Sequence, residues 1–154
     1  MYTQEILEKK IIDKYSQLVK KNISPYNTLS LHPTNLVKFM YFMKNDKDFA
    51  FDMLCDHTAV DWIDKNSFDL VYNLYSTIHN HQFIIIVTIP RKTPIISTLS
   101  NIWKIAEWQE REVYDFFGIL YKKHPDLRRL FLEDDWMGFP LRKDYKDNFM
   151  LEME

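Results

Sequence analysis

Acidic, basic and aromatic side chains are concentrated in one run of the sequence, EREVYDFFGILYKKHPDLRR, which covers residues 110–129. The carboxylates of Glu110, Glu112 and Asp115 and the imidazole of His124 belong to types that bind metal ions or exchange protons in catalysis. The helix that we predict here points Glu110 to one side and the other two carboxylates to another. The chain contains neither a Glu-x-x-His nor a His-Glu-x-x-His pair. Ion pairs and solvated charges are therefore favoured over a metal or catalytic site.

Other residues that could do chemistry form no stronger pattern. The Cys-Asp-His triplet at 55–57 lies in a predicted strand, where neighbouring side chains point to opposite faces and suit neither a metal pair nor a Cys/His nucleophile. His79 and His81 flank a predicted hairpin turn, where we expect exposed side chains. Two glycines twenty residues apart make no phosphate-binding loop, and a single cysteine cannot ligate an iron–sulfur cluster. Any cofactor would have to be held by another protein.

The remaining interpretation of the charged run is an interface built from ion pairs and aromatic anchors. Arg128 and Arg129 follow a His-Pro pair, and the Arg-Lys-Asp triplet at 142–144 repeats the mixture of charges. The planar guanidinium of arginine favours bidentate contacts that specify geometry as well as adding energy. Interleaved aromatic side chains would anchor such an interface. On the residues alone, surface ion pairs that contribute little each remain an equal alternative.

Composition limits the class of protein. A chain of 154 residues suits one domain, and its 16% aromatic content suggests a buried partner face or an aromatic-rich core. The net charge of −2 gives no electrostatic footprint for nucleic acid. The longest apolar run, Phe83 to Val87, is the size of a strand, the N-terminus has no signal-peptide pattern, and the single cysteine fits a reducing compartment. We expect a soluble or peripheral protein.

Hydrophobic periodicity predicts the elements that position these residues. A first helix is indicated by Leu7, Ile11, Tyr15 and Leu18. A short strand over Asn27–His32 leads into a second helix that begins near Pro33. The second helix has an apolar face made of Leu36, Phe39, Met40 and Met43. Three strands with short connections, at Phe49–Trp62, Phe68–Thr77 and Gln82–Pro90, then favour an antiparallel meander.

A third helix is predicted from Thr98 to Phe117, and Gly118 is placed to end it. Its apolar side is formed by Ile102, Ala106, Gln109, Val113 and Phe116. The expected fold is α+β, a two-layer domain over residues 1–118 with a mainly antiparallel sheet flanked by helices. Residues 119–154 carry short polar–aromatic units with little periodicity. They predict an extended C-terminal arm that lies on the domain or on a partner.

The charged run, extended by two residues, resembles the signature of the 30 kDa subunit family of respiratory complex I, the NADH–quinone oxidoreductase. That signature is Glu-Arg-Glu, two residues, an acid and two apolar residues, followed six residues later by His. After three more residues come a basic residue, one free position and two apolar residues. The matching positions here are Glu110, Arg111, Glu112, Asp115, Phe116, Phe117, His124, Arg128, Leu130 and Phe131.

The resemblance extends over residues 50–145. DHTAVDW at 56–62, VYNLYS at 71–76 and IWKIAEWQ at 102–109 are similar to family segments that precede the signature. GFPLRKDY at 138–145 is similar to the ending of the family domain. Docking on a partner is therefore expected of the signature and of the following arm residues: Arg129, Trp136, Gly138, Pro140, Leu141, Arg142, Lys143, Asp144 and Tyr145.

The resemblance implies a scaffold subunit without catalytic residues of its own. It implies docking in the peripheral arm against the 49 kDa-type quinone-site subunit and iron–sulfur subunits. NADH, FMN, iron–sulfur clusters and quinone would then be held by those other subunits. The chain would meet the inner membrane only through the complex, on the cytoplasmic side in bacteria or the matrix side in mitochondria. Replacing Arg128 or Arg142 by alanine should weaken assembly and barely change the stability of the domain.

Three alternatives remain. Similar subunits serve ferredoxin–plastoquinone oxidoreductases and membrane-bound energy-converting hydrogenases. More remotely, the chain is a free-standing enzyme that uses Glu110, Glu112 or Asp115.

Overall fold

A computed structural model of the chain describes residues 4–16, 19–21 and 28–147. Helix α1 spans Gln4–Tyr15 and buries Leu7 and Ile11, as the periodicity predicts. The ring of Tyr15 packs edge-on against Phe39, with 5.7 Å between the ring centroids, and so joins α1 to the next helix. Leu18, the fourth residue of the predicted stripe, lies outside the described residues. The amphipathic N-terminal helix is therefore confirmed over Gln4–Tyr15.

The strand and second helix that follow also agree with the sequence. After strand β1 (Val19–Lys21), strand β2 covers Thr28–Leu31. A 3₁₀ turn over Pro33–Asn35 leads into helix α2 (Leu36–Asn45). Proline suits this first turn because it has no N–H to leave unpaired. The buried residues of α2 are those of the predicted apolar face: Leu36, Phe39, Met40 and Met43.

The central sheet has the order β1-β2-β5-β4-β3, with β3 at Met53–Trp62, β4 at Ser67–Ser76 and β5 at His81–Pro90. Strands β3, β4 and β5 form the predicted antiparallel meander. Strand β2 pairs with β5 in parallel, which the long connection through α2 and the β3–β4 hairpin permits. The α+β fold class and the mainly antiparallel sheet are thus confirmed. A β-bulge after Leu54 interrupts the alternation of β3 and leaves Cys55 exposed.

The third helix begins later than predicted. Helix α3 spans Ala106–Phe117, whereas the residues from Thr98 onward form turns after the short strand β6 (Ile95–Ser97). The Thr98 hydroxyl accepts a hydrogen bond from the Ser100 N–H at 3.0 Å, a local bond that competes with helix formation. Gly118 ends the helix as predicted, in the left-handed conformation with φ of 69°.

The buried face of α3 is also shifted by one residue from the prediction. Ala106, Val113 and Phe117 face the sheet, and Phe117 meets Phe68 edge-on, with 6.2 Å between the ring centroids. The predicted members Gln109 and Phe116 are only half-buried. Ala106 and Val113 belong to both the predicted and the observed face, whereas Phe117 replaces Phe116 as its buried aromatic residue.

The core continues beyond the boundary drawn at Gly118. Strand β7 (Leu120–Lys122) pairs in parallel with β6, and Ile119 and Tyr121 are buried in the core. Residues 123–147, which we call the arm, then form turns and irregular structure over the outside of α3. Among the described residues, none of the helices has the length and apolar character needed to cross a membrane.

Candidate functional site

The carboxylate of Asp115 is the main attachment point between α3 and the arm, and it is fully buried. Its Oδ1 accepts a hydrogen bond from Arg129 Nη1 at 2.8 Å. Its Oδ2 accepts from the backbone N–H groups of Leu130, Phe131 and Leu132 at 3.0, 2.7 and 3.0 Å. Burial by itself would raise the pKa of this carboxyl, but the guanidinium and the three N–H donors outweigh it and hold the pKa below its ordinary value. Asp115 therefore serves the fold of its own chain as an anion.

The guanidinium of Arg129 draws two turns of the arm together. Besides the Asp115 carboxylate, it donates from Nη1 to the Asp115 backbone carbonyl at 3.0 Å. Its Nη2 donates to the carbonyls of Trp136 and Gly138 at 2.9 and 3.0 Å. The same group lies 5.4 Å from the centroid of the Phe139 ring. One arginine thus fixes the path of the chain from residue 129 to residue 139.

Arg111 holds the arm one helical turn before Asp115. Its Nε donates to the backbone carbonyl of Arg128 at 3.1 Å, and its Nη2 donates to that of Arg129 at 3.0 Å. The guanidinium also lies 5.2 Å from the centroid of a Trp108 ring. In contrast, the side chain of Arg128 is exposed, and within the described part of the chain its one ion pair is with the nearby Asp126, at 2.9 Å. Of these two signature arginines, Arg111 braces the fold and Arg128 faces outward.

Arg142 lies within the fold of the chain. Its Nε donates to the Phe117 carbonyl at 2.6 Å, and its guanidinium is 5.3 Å from the Phe68 ring and 4.8 Å from the Phe139 ring. A Cβ on Gly118 would overlap the Phe139 ring, so the glycine permits this close packing as well as ending the helix. These contacts give a different expectation from the one drawn from the sequence: replacing Arg142 should destabilise the domain itself.

A second attachment joins the end of the arm to the central sheet. Asp61 in β3 accepts hydrogen bonds from Arg91 Nε at 2.9 Å and from the Lys143 backbone N–H at 2.9 Å. Arg91 also donates to the Asp144 carboxylate, and this hydrogen bond lowers the pKa of Asp144. Neither Asp61 nor Arg91 was predicted from the sequence to have a role. The only signal for Asp61 was its place in the DHTAVDW segment.

The last residues of the arm pack on one another. The Tyr145 backbone N–H donates to the Arg142 carbonyl at 3.0 Å, and the Tyr145 hydroxyl donates to Asp147 at 3.0 Å. A Cβ on Gly138 would come within 2.9 Å of the Tyr145 ring. Pro140 and Tyr145 are half-buried against these neighbours. Within the GFPLRKDY segment, Tyr145 therefore packs back on Gly138 and Arg142.

Several apolar side chains of the arm and α3 are left exposed on the outside. We call them the arm face: Trp108, Phe131, Trp136, Met137 and Leu141. Phe131 stacks on Phe116 at 5.6 Å, and the Leu141 N–H donates to the Phe116 carbonyl at 3.2 Å, so these parts of the face adjoin. Met137 is 85% exposed and Phe131 63% exposed. Glu112 is exposed on the same helix.

Glu110 lies in a different environment, fully buried beneath α3. Its carboxyl accepts a hydrogen bond from the Leu99 N–H at 2.7 Å and contacts the Thr98 hydroxyl. His124 Nε2 is 3.9 Å from Glu110 Oε2 and donates to the Glu107 carbonyl at 3.1 Å. Burial is the main cause that raises the pKa of Glu110 from 4.5 to about 7.

Two other histidines, His57 and His81, are buried in the core. His57 is buried, with Nδ1 3.0 Å from the Val71 carbonyl and Nε2 2.6 Å from the Tyr121 hydroxyl, and burial lowers its pKa to about 4. His81 is buried as well, and its Nε2 bonds the Phe49 carbonyl at 2.8 Å. The expectation that His81 is an exposed turn residue was wrong, because Phe49 comes back over the start of β5.

The three carboxylates that suggested catalysis do not converge. Asp115 is tied to the arm, Glu110 is enclosed beneath α3, and Glu112 faces outward. Across residues 4–16, 19–21 and 28–147, no three His, Cys, Asp or Glu side chains form a group that could hold a metal ion. The arrangement is suited to fixing the arm on α3 and presenting its outer face.

Comparison with known proteins identifies a family. A family model described as respiratory-chain NADH dehydrogenase, 30 Kd subunit, matches residues 29–148. The C subunit of the NADH-quinone oxidoreductase of Geobacter metallireducens is 40% identical over 120 residues, which cover 77% of this chain and 73% of that protein. NADH-ubiquinone oxidoreductase subunit 9 of Reclinomonas americana is 36% identical over 138 residues, which cover 88% of this chain and 67% of that protein.

Two solved structures share the fold. A chain of the membrane-bound sulfane sulfur reductase, an archaeal respiratory membrane complex, aligns with a TM-score of 0.78 and 25% identity over 92% of this chain and 85% of that one. The trypsin-resistant fragment (1–134) of Nqo5 aligns with a TM-score of 0.64 and 26% identity over 79% of this chain and 98% of that one.

Proposed function

The chain belongs to the 30 kDa subunit family of the respiratory-chain NADH dehydrogenase, and from this premise we propose that it is a structural subunit of an NADH–quinone oxidoreductase. In this role it braces the 49 kDa-type quinone-site subunit in the peripheral arm, beside the iron–sulfur subunits, while electrons pass from NADH to quinone. It has no catalytic residues of its own. NADH, FMN, iron–sulfur clusters and quinone are held by other subunits, and contact with the inner membrane, on its cytoplasmic or matrix side, is made through the complex.

The observation that carries this proposal is the exposed arm face on a rigidly attached segment. Burying exposed apolar side chains against a partner is favourable, by roughly 25 cal/mol for each Å² of apolar surface removed from water. Asp115, Arg129 and Arg111 fix the arm on α3 through several hydrogen bonds each, so the face is already ordered before docking. A pre-ordered face binds with a smaller loss of conformational entropy than a flexible tail would.

The signature residues accordingly divide into two roles. Those with side chains turned inward set the shape of the arm, while exposed residues such as Arg128, Trp136 and Leu141 make the contacts with the partner. Arg128 is well suited to a rim contact because its guanidinium is exposed and its only described ion pair is with Asp126.

A second candidate has its own support. The likeness to a chain of an archaeal respiratory membrane complex favours the equivalent scaffold position in a related membrane complex with another electron donor or acceptor. In such a complex the same arm face would dock on the equivalent large subunit.

The test is affinity purification of the tagged chain from native membranes in a mild detergent, followed by mass spectrometry of the proteins that come with it. The proposal expects a quinone-site subunit and iron–sulfur subunits. Recovery with hydrogenase or sulfur-reductase subunits instead would support the second candidate. A chain recovered alone would overturn both.

A pair of variants tests the arm face itself. Met137→Glu places a charge on the arm face, whereas Ile78→Glu places one on a similarly exposed apolar residue in the β4–β5 turn. The proposal expects Met137→Glu to reduce the recovery of the other subunits and Ile78→Glu to leave it unchanged. Equal recovery with both variants, at unchanged melting temperatures, would reject the arm face as the docking site.

A further inference from the structure

Beneath α3, a short row of oxygen atoms leads from the Glu110 carboxyl towards the surface. Glu110 is 0% exposed, and Oε2 contacts the Thr98 hydroxyl. The Thr98 hydroxyl in turn lies 2.9 Å from the Ser100 hydroxyl. Thr98 and Ser100 are 6% and 8% exposed, so the row runs from a fully enclosed carboxyl to two buried residues that keep a small solvent-accessible area.

The row of hydroxyl groups can form hydrogen bonds with Glu110 in both its ionised and its protonated form. Thr98 has a single hydroxyl proton, which it can donate either to Glu110 or to Ser100. When Glu110 is ionised, Thr98 donates to the carboxylate and Ser100 donates to Thr98. When Glu110 is protonated, its O–H donates to Thr98, and Thr98 donates to Ser100. Each state keeps every hydroxyl in a hydrogen bond, and the two states differ by one proton on Glu110 and by the direction of donation along the row.

Other polar groups enclose the carboxyl from each element packed against it. On the helix itself, Glu107 lies one turn earlier, and after β7 the ring of His124 approaches Oε2 to 3.9 Å. From β4 and β7, the hydroxyls of Tyr72 and Tyr121 face the same region: burial raises the pKa of both, and the charge of Glu110 adds to that rise. His57 lies between the two tyrosines, stacked 4.1 Å from Tyr72.

None of these groups fixes Glu110 in the charged form. His57 is neutral, because burial lowers its pKa to about 4. His124 accepts the Asp126 N–H at Nδ1 at 3.0 Å, a bond that only the ring without a proton at Nδ1 can make. The negative charge of Glu107 favours protonation of Glu110. The Tyr72 hydroxyl is buried without a hydrogen-bond partner among the described residues.

We propose that the Glu110 carboxyl is a buried proton-binding site that exchanges its proton with solvent through the hydroxyl groups of Thr98 and Ser100. On release, Glu110 passes its proton to Thr98 Oγ1, the former Thr98 proton goes to Ser100 Oγ, and the former Ser100 proton goes to water. Uptake runs in reverse, so protons and charge balance. Because burial raises the pKa of Glu110 to about 7, both forms are populated at neutral pH.

The test is an NMR titration of the full chain labelled with ¹³C at the glutamate side-chain carboxyls, between pH 4 and pH 9. We expect one carboxyl signal to titrate near pH 7, far above the range of exposed glutamates. Absence of any glutamate carboxyl that titrates above pH 6 would overturn the proposal. Glu110→Gln should abolish the signal, and Glu112→Gln, the exposed control on the same helix, should preserve it. The reverse result would assign the proton to another residue.

The relay is tested separately with two substitutions at one position. Thr98→Val removes the hydroxyl at nearly constant shape, so the midpoint of Glu110 should move upward and the exchange between its two forms should slow. Thr98→Ser keeps a hydroxyl and should restore both towards the wild-type values. A Thr98→Val protein with unchanged midpoint and exchange rate would refute the path through Thr98. These experiments do not depend on any partner subunit.

Discussion

Replacing the anchor carboxylate by an amide, Asp115→Asn, should release the arm and leave the sheet folded. The substitution keeps the size of the side chain and removes the charge that pairs with Arg129 and accepts three backbone N–H groups. Hydrogen bonds to a charged acceptor contribute about 1.5–3 kcal/mol each, and those to a neutral acceptor about 0.5–1.5 kcal/mol. Removing one partner of a buried ion pair costs about 3–5 kcal/mol. Over the four hydrogen bonds the first comparison gives about 4–6 kcal/mol, an upper limit because such contributions do not add fully. We therefore expect a loss near the lower end of the second range, roughly 3 kcal/mol, in arm attachment.

This loss is measurable as hydrogen exchange. A change of roughly 3 kcal/mol corresponds to about a hundredfold larger population of the open arm. The amides of Leu130, Phe131 and Leu132, which donate to Asp115, should exchange faster by about that factor, while the amides of β4 should keep their protection. Glu112→Gln makes the same chemical change at an exposed position of α3 and should leave all these rates unchanged.

Two outcomes would refute this reasoning. Unchanged protection at residues 130–132 in the Asp115→Asn protein would mean that the carboxylate does not hold the arm. A uniform increase that includes the sheet would mean that the arm and the domain unfold as one unit, so that the arm does not open separately.

Arg142→Ala should lower the stability of the isolated chain by about 2–3 kcal/mol, from one charged hydrogen bond and two cation–π contacts, whereas Arg128→Ala should change it by less than about 1 kcal/mol. Urea denaturation measures the free energy of unfolding of both variants. Equal losses of stability in the two variants would contradict the inference that Arg142 braces the fold and Arg128 does not. Glu110 should make folding less favourable as pH rises. Its folded pKa of about 7 exceeds the ordinary 4.5, so the stabilisation is complete below pH 4.5 and is lost as pH passes 7. The stability of Glu110→Gln relative to wild type should therefore rise by roughly 3 kcal/mol between pH 4.5 and pH 8, measured by denaturation at each pH. His57 is present in both proteins, so its opposing contribution cancels when the two free energies of unfolding are subtracted. A difference in free energy that does not change with pH would show that Glu110 does not titrate in this range.

Much of the fold was predictable because its signals are local. Alternation along Phe68–Leu74 marked β4, the i, i+3, i+4, i+7 pattern marked α2, and Gly118 marked the end of α3. Each of these depends on near neighbours in the chain. The signature spacing within residues 110–131 was equally readable, and it led to the family that the comparisons identified.

The roles of the signature side chains needed contacts between distant residues. A charged run in a predicted helix suggests solvent exposure, yet Glu110 and Asp115 are fully buried. Their burial is tolerated because donors arrive from elsewhere: the Leu99 N–H for Glu110, and the arm for Asp115. The hydrogen bond from the Leu99 N–H to Glu110 and the local bond from the Ser100 N–H to the Thr98 hydroxyl also keep the chain before Ala106 from joining the helix.

By itself, then, the sequence determined α2, the β3–β5 meander, the end of α3 and the family, since periodicity and spacing are properties of the chain alone. Only the tertiary structure decided which signature residues are internal braces and which form the arm face. Arg142 and Arg128 both read as charges for a partner surface, but one is enclosed by Phe68 and Phe139 and the other remains in solvent. The physical reason is that the cost of burying a charged group depends on the partners that bind it. Those partners lie tens of residues away in the sequence and contact the charged group only after the chain has folded.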